Sequence, residues 1–192
     1  MRRWAALLTA LLFLGPADAR AGDSAWTAFA GEGVVALMRH ALAPGIGDPE
    51  AFRLDDCATQ RNLDADGRAQ ARAIGAAIRA RDLEIDRVLS SQWCRCRETA
   101  ALLDVGAVVE MPALNSFFGQ RERAGPRTRA TLDRIRALPA TGRSIMVTHQ
   151  VNIRALTGIA PRSGEIVLVR AGQGGPDGAG VTVIGRLTPA AP

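Results

Sequence analysis

Short apolar runs alternate with amphipathic segments along most of this 192-residue chain. Runs of four to seven residues rich in β-branched side chains predict buried strands, whereas apolar positions repeating every three to four residues predict helices. The expected strands cover 34–38, 87–90, 107–111, 145–148, 165–170 and 181–187, and the expected helices cover 64–80, 92–103, 126–138 and 151–157, after a short first helix that carries Trp26 and Phe29. This order favours an α/β fold of three layers, with a mostly parallel sheet flanked by helices on both faces.

The chain contains two histidines, and each directly follows one of the predicted strands. His40 comes after the first strand and Arg39, and His149 comes after the fourth. Ligands of open α/β sheets bind beyond the carboxyl ends of the strands. Neutral imidazole is a nucleophile near pH 7, and guanidinium groups bind phosphate. We therefore expect His40, Arg39, His149 and Arg95, which follows another strand, to form a phosphoryl-transfer site.

Residues 1–21 are typical of a secretory signal peptide, and residues 22–192 are long enough for one domain. Arg2 and Arg3 precede an apolar stretch that ends in small residues, and this stretch is shorter than the roughly 20 residues that cross a bilayer. Cleavage after Ala19 or Ala21 predicts a periplasmic or secreted protein with no stable membrane insertion. The sequence does not indicate its oligomeric state.

The charge pattern argues against nucleic acid as a partner. The 24 basic residues are all arginine, and the net charge is +5. Removal of residues 1–21 takes away three arginines and one aspartate, so the charge of the remaining domain is only +3. Basic tracts interleaved with aromatic residues and zinc-finger spacings are both absent from the sequence. A small phosphorylated molecule is the expected partner.

Four segments resemble motifs of the histidine phosphatase superfamily, in its phosphoglycerate-mutase-like branch. Arg39-His40-Ala41 is similar to the Arg-His-Gly of that family, although Ala41 departs from it. The other three are Asn62-Leu63-Asp64-Ala65-Asp66-Gly67-Arg68-Ala69-Gln70-Ala71, Ser90-Ser91-Gln92-Trp93-Cys94-Arg95-Cys96-Arg97-Glu98-Thr99-Ala100 and Met146-Val147-Thr148-His149. The resemblance runs from about residue 33 to residue 187.

The resemblance implies a phosphoglycerate-mutase-like fold and a phosphohistidine intermediate on His40, without a metal or another cofactor. Arg39, Arg95 and His149 would surround the phosphoryl group. We further expect Arg61, Gln150 and Ser91 to bind the substrate. Ser91 is also the expected N-cap of the helix that begins near residue 92.

The general acid of the family is missing from both of its usual positions. These positions are a Glu shortly after the third strand and an Asp directly after the second histidine. This chain has Leu114-Asn115-Ser116 at the first and Gln150 at the second. Asp55, Asp56 and Glu122, in the long loops 43–62 and 112–125, are candidate replacements, and each is equally interpretable as a solvated carboxylate.

The predicted export favours a disulfide between two of the three cysteines, because oxidising compartments permit disulfides. Cys57 lies in the first long loop, and Cys94 directly precedes Arg95. We expect Cys57 and Cys94 to form a disulfide beside the proposed phosphoryl-transfer site. Cys96 then remains as a packed thiol in the core.

These observations predict an exported, metal-independent phosphatase that hydrolyses a phosphomonoester, with a sugar phosphate of the envelope or lipopolysaccharide core as one substrate class. Six arginines between residues 121 and 136 would bind such a polyanion, or form an ordinary solvated face. A phosphohistidine or phosphoramidate phosphatase is an alternative, which the missing acid would suit. A protein that binds a phosphorylated ligand without turnover is another.

Overall fold

A computed structural model describes the backbone of residues 16–172 and 180–188. The five helices of this part are α1 (Pro16–Ala30), α2 (Ala65–Arg79), α3 (Cys94–Leu103), α4 (Ala124–Arg136) and α5 (Gln150–Thr157). The six strands are β1 (Val34–Arg39), β2 (Arg87–Ser90), β3 (Val108–Glu110), β4 (Arg143–Thr148), β5 (Ile166–Ala171) and β6 (Val181–Leu187). The predicted α/β alternation is confirmed. The apolar stretch of the expected signal peptide and most of the glycine-rich turn 172–180 lie outside the described residues.

The strands form one mixed sheet in the order β3-β2-β4-β1-β5-β6. Strand β4 pairs in parallel with β1 and β2, and β2 pairs in parallel with β3. Strand β5 is antiparallel to both of its neighbours, so β5 and β6 form a hairpin at one edge of the sheet. The carboxyl ends of β1, β2 and β4 therefore meet at one edge. In the register of this edge, Arg39 lies opposite Thr148 and Ser90 opposite Val147.

Helices cover both faces of the sheet, because alternate residues of each central strand point to opposite sides. On one side, Ala36 and Met38 of β1 belong to a core that includes residues of α1, α2 and α3. On the other side, Val35 and Leu37 belong to a core that includes residues of α4 and α5. The result is the expected three-layer arrangement. No helix in the described part of the chain is long and apolar enough to span a membrane.

Two helix starts differ from the sequence-based expectation. Helix α1 begins at Pro16, well before Trp26, and therefore includes the two predicted cleavage positions. Helix α3 begins at Cys94, and its N-cap is Trp93 with no side-chain cap hydrogen bond. Ser91 was wrongly expected to cap α3. Its hydroxyl instead lies 2.9 Å from Nε2 of His149.

A disulfide fixes the long loop between β1 and α2. Cys57, in a single 3₁₀ turn of this loop, is bonded to Cys94 at the start of α3, and Cys96 is a buried free thiol. Gln60 reinforces the junction, because its side-chain oxygen accepts a hydrogen bond from the Cys94 backbone amide at 3.0 Å. The bridge therefore connects the loop to the helix turn that carries Arg95.

The double substitution Cys57→Ser/Cys94→Ser should lower the free energy of unfolding by roughly 2–4 kcal/mol, because the bridge closes a segment of 37 residues in the unfolded chain. Urea denaturation of the variant and of the oxidised protein, monitored by circular dichroism, measures the difference. Reduced wild-type protein serves as the matched control and should resemble the variant. Equal stability of the oxidised and reduced proteins would contradict the structural role of the bridge.

Candidate active site

Two buried histidines face each other at the carboxyl ends of β1 and β4. His40 is 2% exposed and His149 is 4% exposed. Their ring centroids are 5.5 Å apart, and the rings are inclined at 67°. The strand register produces this pairing, because the backbone amide of His40 donates to the carbonyl of Thr148 at 3.0 Å. The sequence-based prediction that the two histidines converge at one sheet edge is therefore confirmed.

The hydrogen bond made by His40 defines its tautomer. Its Nδ1 lies 2.7 Å from the carbonyl oxygen of Ala41, and a carbonyl can only accept, so Nδ1 carries the proton. The lone pair is then on Nε2, which makes no hydrogen bond within the described residues. Burial, and then the positive charge of Arg95, lower the pKa of His40 to about 3, against the effect of the Ala41 carbonyl. His40 is consequently a neutral imidazole with an available nucleophilic nitrogen.

His149 has the opposite tautomer. Its Nδ1 is 3.4 Å from an Nη of Arg95, which can only donate, so the proton is on Nε2. Nε2 donates to the hydroxyl of Ser91 at 2.9 Å, and that hydroxyl donates to the Asn115 side-chain oxygen at 3.1 Å. Burial and then the charge of Arg95 lower the pKa of His149 well below its usual value. Ser91 therefore orients the ring of His149 through this hydrogen bond, and it does not line the cavity.

Three arginines line the cavity above the histidines, which has a volume of about 660 Å³. They are Arg39, Arg61 and Arg95, and Arg95 is 3% exposed. The Nε atoms of Arg39 and Arg95 are buried and lack a hydrogen-bond partner. Unpaired buried donors are costly in a folded protein. The three guanidinium groups together form a cationic floor of the cavity that suits a phosphoryl group.

A carboxylate that sequence analysis did not identify occupies part of this floor. Asp48 accepts two hydrogen bonds from the guanidinium of Arg95, at 2.7 and 3.1 Å, and one from the Trp93 indole at 3.0 Å. Burial alone would raise the pKa of Asp48, but the hydrogen bonds and charge of Arg95 lower it below its usual value. Asp48 is therefore ionised. No local pattern distinguishes it from the other acidic residues of the loop.

The three candidate acids lie away from the cavity wall. Asp56 caps the 3₁₀ turn at Cys57 and pairs with Arg53. Asp55 is exposed, and Glu122 is exposed and lies 3.9 Å from the Arg123 guanidinium. Because none of them lines the cavity that holds His40, their role as general acid stays a prediction that the geometry does not favour.

The other predicted substrate ligands do reach the cavity. Gln150 lines it as the first residue of α5, where free backbone amides favour an anion. Arg61 lines it as well, but its guanidinium donates to the carbonyls of Gly47 and Ala43, so it also shapes the first loop. Among the described residues, no group of three or more His, Cys, Asp or Glu side chains could hold a metal ion.

Comparison with known proteins agrees with this geometry. Residues 35–117 match the family model described as the histidine phosphatase superfamily (branch 1). No curated protein matches the sequence. Similar solved structures include the protein histidine phosphatase SixA complexed with tungstate, at 16% identity and a TM-score of 0.57, over 81% of this chain and 97% of that one.

Two further structures extend the likeness in fold. A protein of Nakamurella multipartitia that is assigned as a phosphohistidine phosphatase SixA has 23% identity and a TM-score of 0.59, over 84% of this chain and 98% of that one. Phosphoserine phosphatase of Entamoeba histolytica has 13% identity and a TM-score of 0.58, over 82% and 98%. The matched segment and the fold agree, so this chain is similar to the histidine phosphatase superfamily (branch 1) over residues 35–117 and shares its fold with solved phosphatases.

Proposed function

We propose that this protein is a phosphatase that hydrolyses a phosphomonoester through a phosphohistidine on His40, without a metal ion. The single observation that carries the proposal is the state of His40. Its ring is neutral, its Nδ1 proton is held by the Ala41 carbonyl, and its Nε2 is free beside guanidinium groups. A phosphoryl acceptor needs this combination of an unprotonated nucleophile and fixed positive charge.

The reaction proceeds in two displacements. In the first, the lone pair of His40 Nε2 attacks phosphorus, the Nε2–P bond forms, the P–O bond to the alcohol breaks, and the alcohol oxygen takes up a proton from solvent water. In the second, water attacks phosphorus, the Nε2–P bond breaks, the attacking water gives a proton to solvent, and inorganic phosphate departs. Arg39 and Arg95 stabilise the charge on the phosphoryl oxygens in both steps, and His149 positions Arg95 by accepting from its guanidinium through Nδ1.

Asp48 acts in this scheme as a positioning residue. Its two hydrogen bonds hold the plane of the Arg95 guanidinium, and its backbone neighbours form the cavity wall. Since Arg95 keeps Asp48 ionised, Asp48 has no proton to give to a leaving group in the free protein. The rate of the first displacement should then depend strongly on the pKa of the leaving alcohol.

The cellular setting belongs to the same proposal. A basic and then apolar start to the sequence supports export. The Cys57–Cys94 disulfide is compatible with an oxidising compartment such as the periplasm. We expect a substrate of that compartment, and an envelope or lipopolysaccharide-core sugar phosphate stays one such prediction.

A second candidate function is phosphohistidine hydrolysis. Arg95 keeps Asp48 ionised, the three predicted acids lie outside the cavity lining, and a phosphoramidate bond needs less help from a general acid than an alkyl ester does. Two of the structural neighbours are named as protein histidine or phosphohistidine phosphatases, which is a likeness in fold. A phosphorylated histidine peptide offered in competition with aryl phosphates would separate the two activities.

His40→Ala should abolish release of inorganic phosphate from p-nitrophenyl phosphate, because it removes the Nε2 that accepts the phosphoryl group. His149→Ala should reduce kcat at least ~100-fold by removing the Nδ1 acceptor that positions the Arg95 guanidinium for the transition state. Circular dichroism and phosphate binding verify that both variants fold. An active His40→Ala protein would refute the mechanism, and phosphate binding without turnover in the wild type would identify a binding protein.

Asp48→Asn should lower kcat/KM by a similar factor for aryl phosphates with good and with poor leaving groups, because it disturbs Arg95 and removes no proton donor. The measurement is kcat/KM across a series of leaving-group pKa values. Glu50→Gln, which changes another carboxylate on the same loop and cavity, is the matched control and should have little effect. A loss that grows steeply with leaving-group pKa would instead identify Asp48 as the general acid.

Stability should fall between pH 7 and pH 5, because the unfolded chain protonates its histidines near 6.5 whereas the folded protein keeps His40 neutral down to about pH 3. For His40 alone the loss is roughly 2 kcal/mol at pH 5. Urea unfolding at both pH values measures it. His40→Ala should show a correspondingly smaller pH effect. Protonation of Asp48, whose pKa is lowered below its usual value, affects the free energy of unfolding only below pH 5. Equal pH dependence in the wild type and in His40→Ala would therefore contradict a buried neutral His40.

A further inference from the structure

Apolar side chains surround the mouth of the cavity, above the cationic floor. We call this set the collar, and it consists of Ile46, Pro49, Phe52, Trp93 and Phe118. Ile46 is 92% exposed and Phe118 is 61% exposed. The first four residues come from the loop after β1 and the segment before α3, and Phe118 comes from the loop after β3. Large apolar side chains exposed around a concave site are typical of a binding surface.

The position of this exposed apolar surface is informative. Four large hydrophobic side chains are exposed among the described residues, namely Ile46, Phe118, Val109 and Val183. Val109 and Val183 lie on the two edge strands, β3 and β6, outside the cavity lining. The other two lie at the cavity mouth, and an added Cβ on Gly47, next to Ile46, would be 3.6 Å from the ring of Phe118. The two loops therefore bring their exposed apolar residues together.

A continuous series of rings connects the collar to the nucleophile. The ring centroids of Phe52 and Trp93 are 5.5 Å apart, those of Trp93 and His149 are 5.4 Å apart, and those of His149 and His40 are 5.5 Å apart. The indole nitrogen of Trp93 is satisfied by Asp48, so the rest of the indole is available for apolar contact. A leaving group attached to the bound phosphoryl group would extend along this wall.

The described residues at the mouth of the cavity include no cationic side chain that would bind a second anion. The arginines that line the cavity are the three of its floor, and the collar itself carries no positive charge. The arginine-rich segment 121–136 lies outside the cavity lining, and Arg127 of that segment donates to the backbone carbonyls of Asn115 and Ser116. Glu50, another carboxylate of the lining, would repel a further phosphate. The charge pattern thus suits one phosphoryl group on an otherwise apolar molecule.

We propose that the collar is a subsite for the leaving group, and that the substrate is the phosphomonoester of an apolar alcohol with a chain or ring of about six carbons or more. This inference rests on the proposed phosphatase function, and it selects an apolar ester over a multiply phosphorylated sugar. Each methylene group fully buried against the collar should improve binding about fourfold.

Hexyl phosphate, ethyl phosphate and glucose 6-phosphate test the proposal, because all three are phosphate esters of primary alcohols. The kcat/KM of hexyl phosphate should exceed that of ethyl phosphate at least tenfold, and it should exceed that of glucose 6-phosphate by more. Ile46→Ser and Phe118→Ser should each reduce the hexyl-to-ethyl ratio several-fold. Val109→Ser is the matched control, since Val109 is 57% exposed but lies outside the cavity lining, and it should leave the ratio unchanged.

Binding of hexylphosphonate and ethylphosphonate, measured by calorimetry, separates this proposal from the phosphatase function, because a C–P bond is not cleaved. Tighter binding of hexylphosphonate without turnover of any ester would support the subsite and refute the phosphatase proposal. His40-dependent turnover with equal kcat/KM for the hexyl and ethyl esters would overturn the subsite and keep the phosphatase. A preference for glucose 6-phosphate, or a hexyl preference unaffected by both serine variants, would also overturn it.

Discussion

The guanidinium group of Arg95 is almost fully buried, at 3% exposure, and a cation in that position must be paired. Asp48 supplies the charge, the backbone carbonyl of Arg61 accepts at 3.2 Å, and His149 lies 3.4 Å away. These contacts join the loop after β1, the first turn of α3 and the end of β4. Loss of one partner of such a pair costs about 3–5 kcal/mol. The loop, the helix and the second histidine therefore depend on the same interaction.

The same charge contributes to the ionisation of the site. Burial first, and then the charge of Arg95, lowers the pKa of both histidines, so the group proposed to bind a phosphoryl anion also helps to keep the proposed nucleophile unprotonated. It stabilises the carboxylate of Asp48 in return. The site is thus prepared for an anion before any substrate arrives, because its donors and its neutral imidazole are already in place. The apolar mouth depends partly on the same contacts, because Asp48 lies between Ile46 and Pro49 in the loop and accepts a hydrogen bond from Trp93.

Sequence reasoning succeeds where a local pattern has a direct structural consequence. Buried strands are predictable from the apolar runs before His40 and His149, and a strand end in a parallel sheet has a known place. The predicted start of the helix at residue 64 is another example, because the side chain of Asp64 caps α2 by accepting a hydrogen bond from the Gly67 amide at 2.7 Å. Asp48 could not be found in this way, since its role arises from a loop conformation fixed by contacts distant in sequence. Ser91 has a cap-like position in the sequence, but its hydroxyl is used by His149 in the folded protein.

The central claim is that Nε2 of His40 accepts the phosphoryl group, because the Ala41 carbonyl holds the proton on Nδ1. The most direct measurement is rapid mixing with an aryl phosphate, a chemical quench, and identification of the phosphorylated atom by ³¹P NMR and peptide mass spectrometry. The account predicts an acid-labile, base-stable phosphate on Nε2 of His40 that forms and decays at rates compatible with turnover. Phosphate on Nδ1, on His149 or on no residue during active turnover would contradict it.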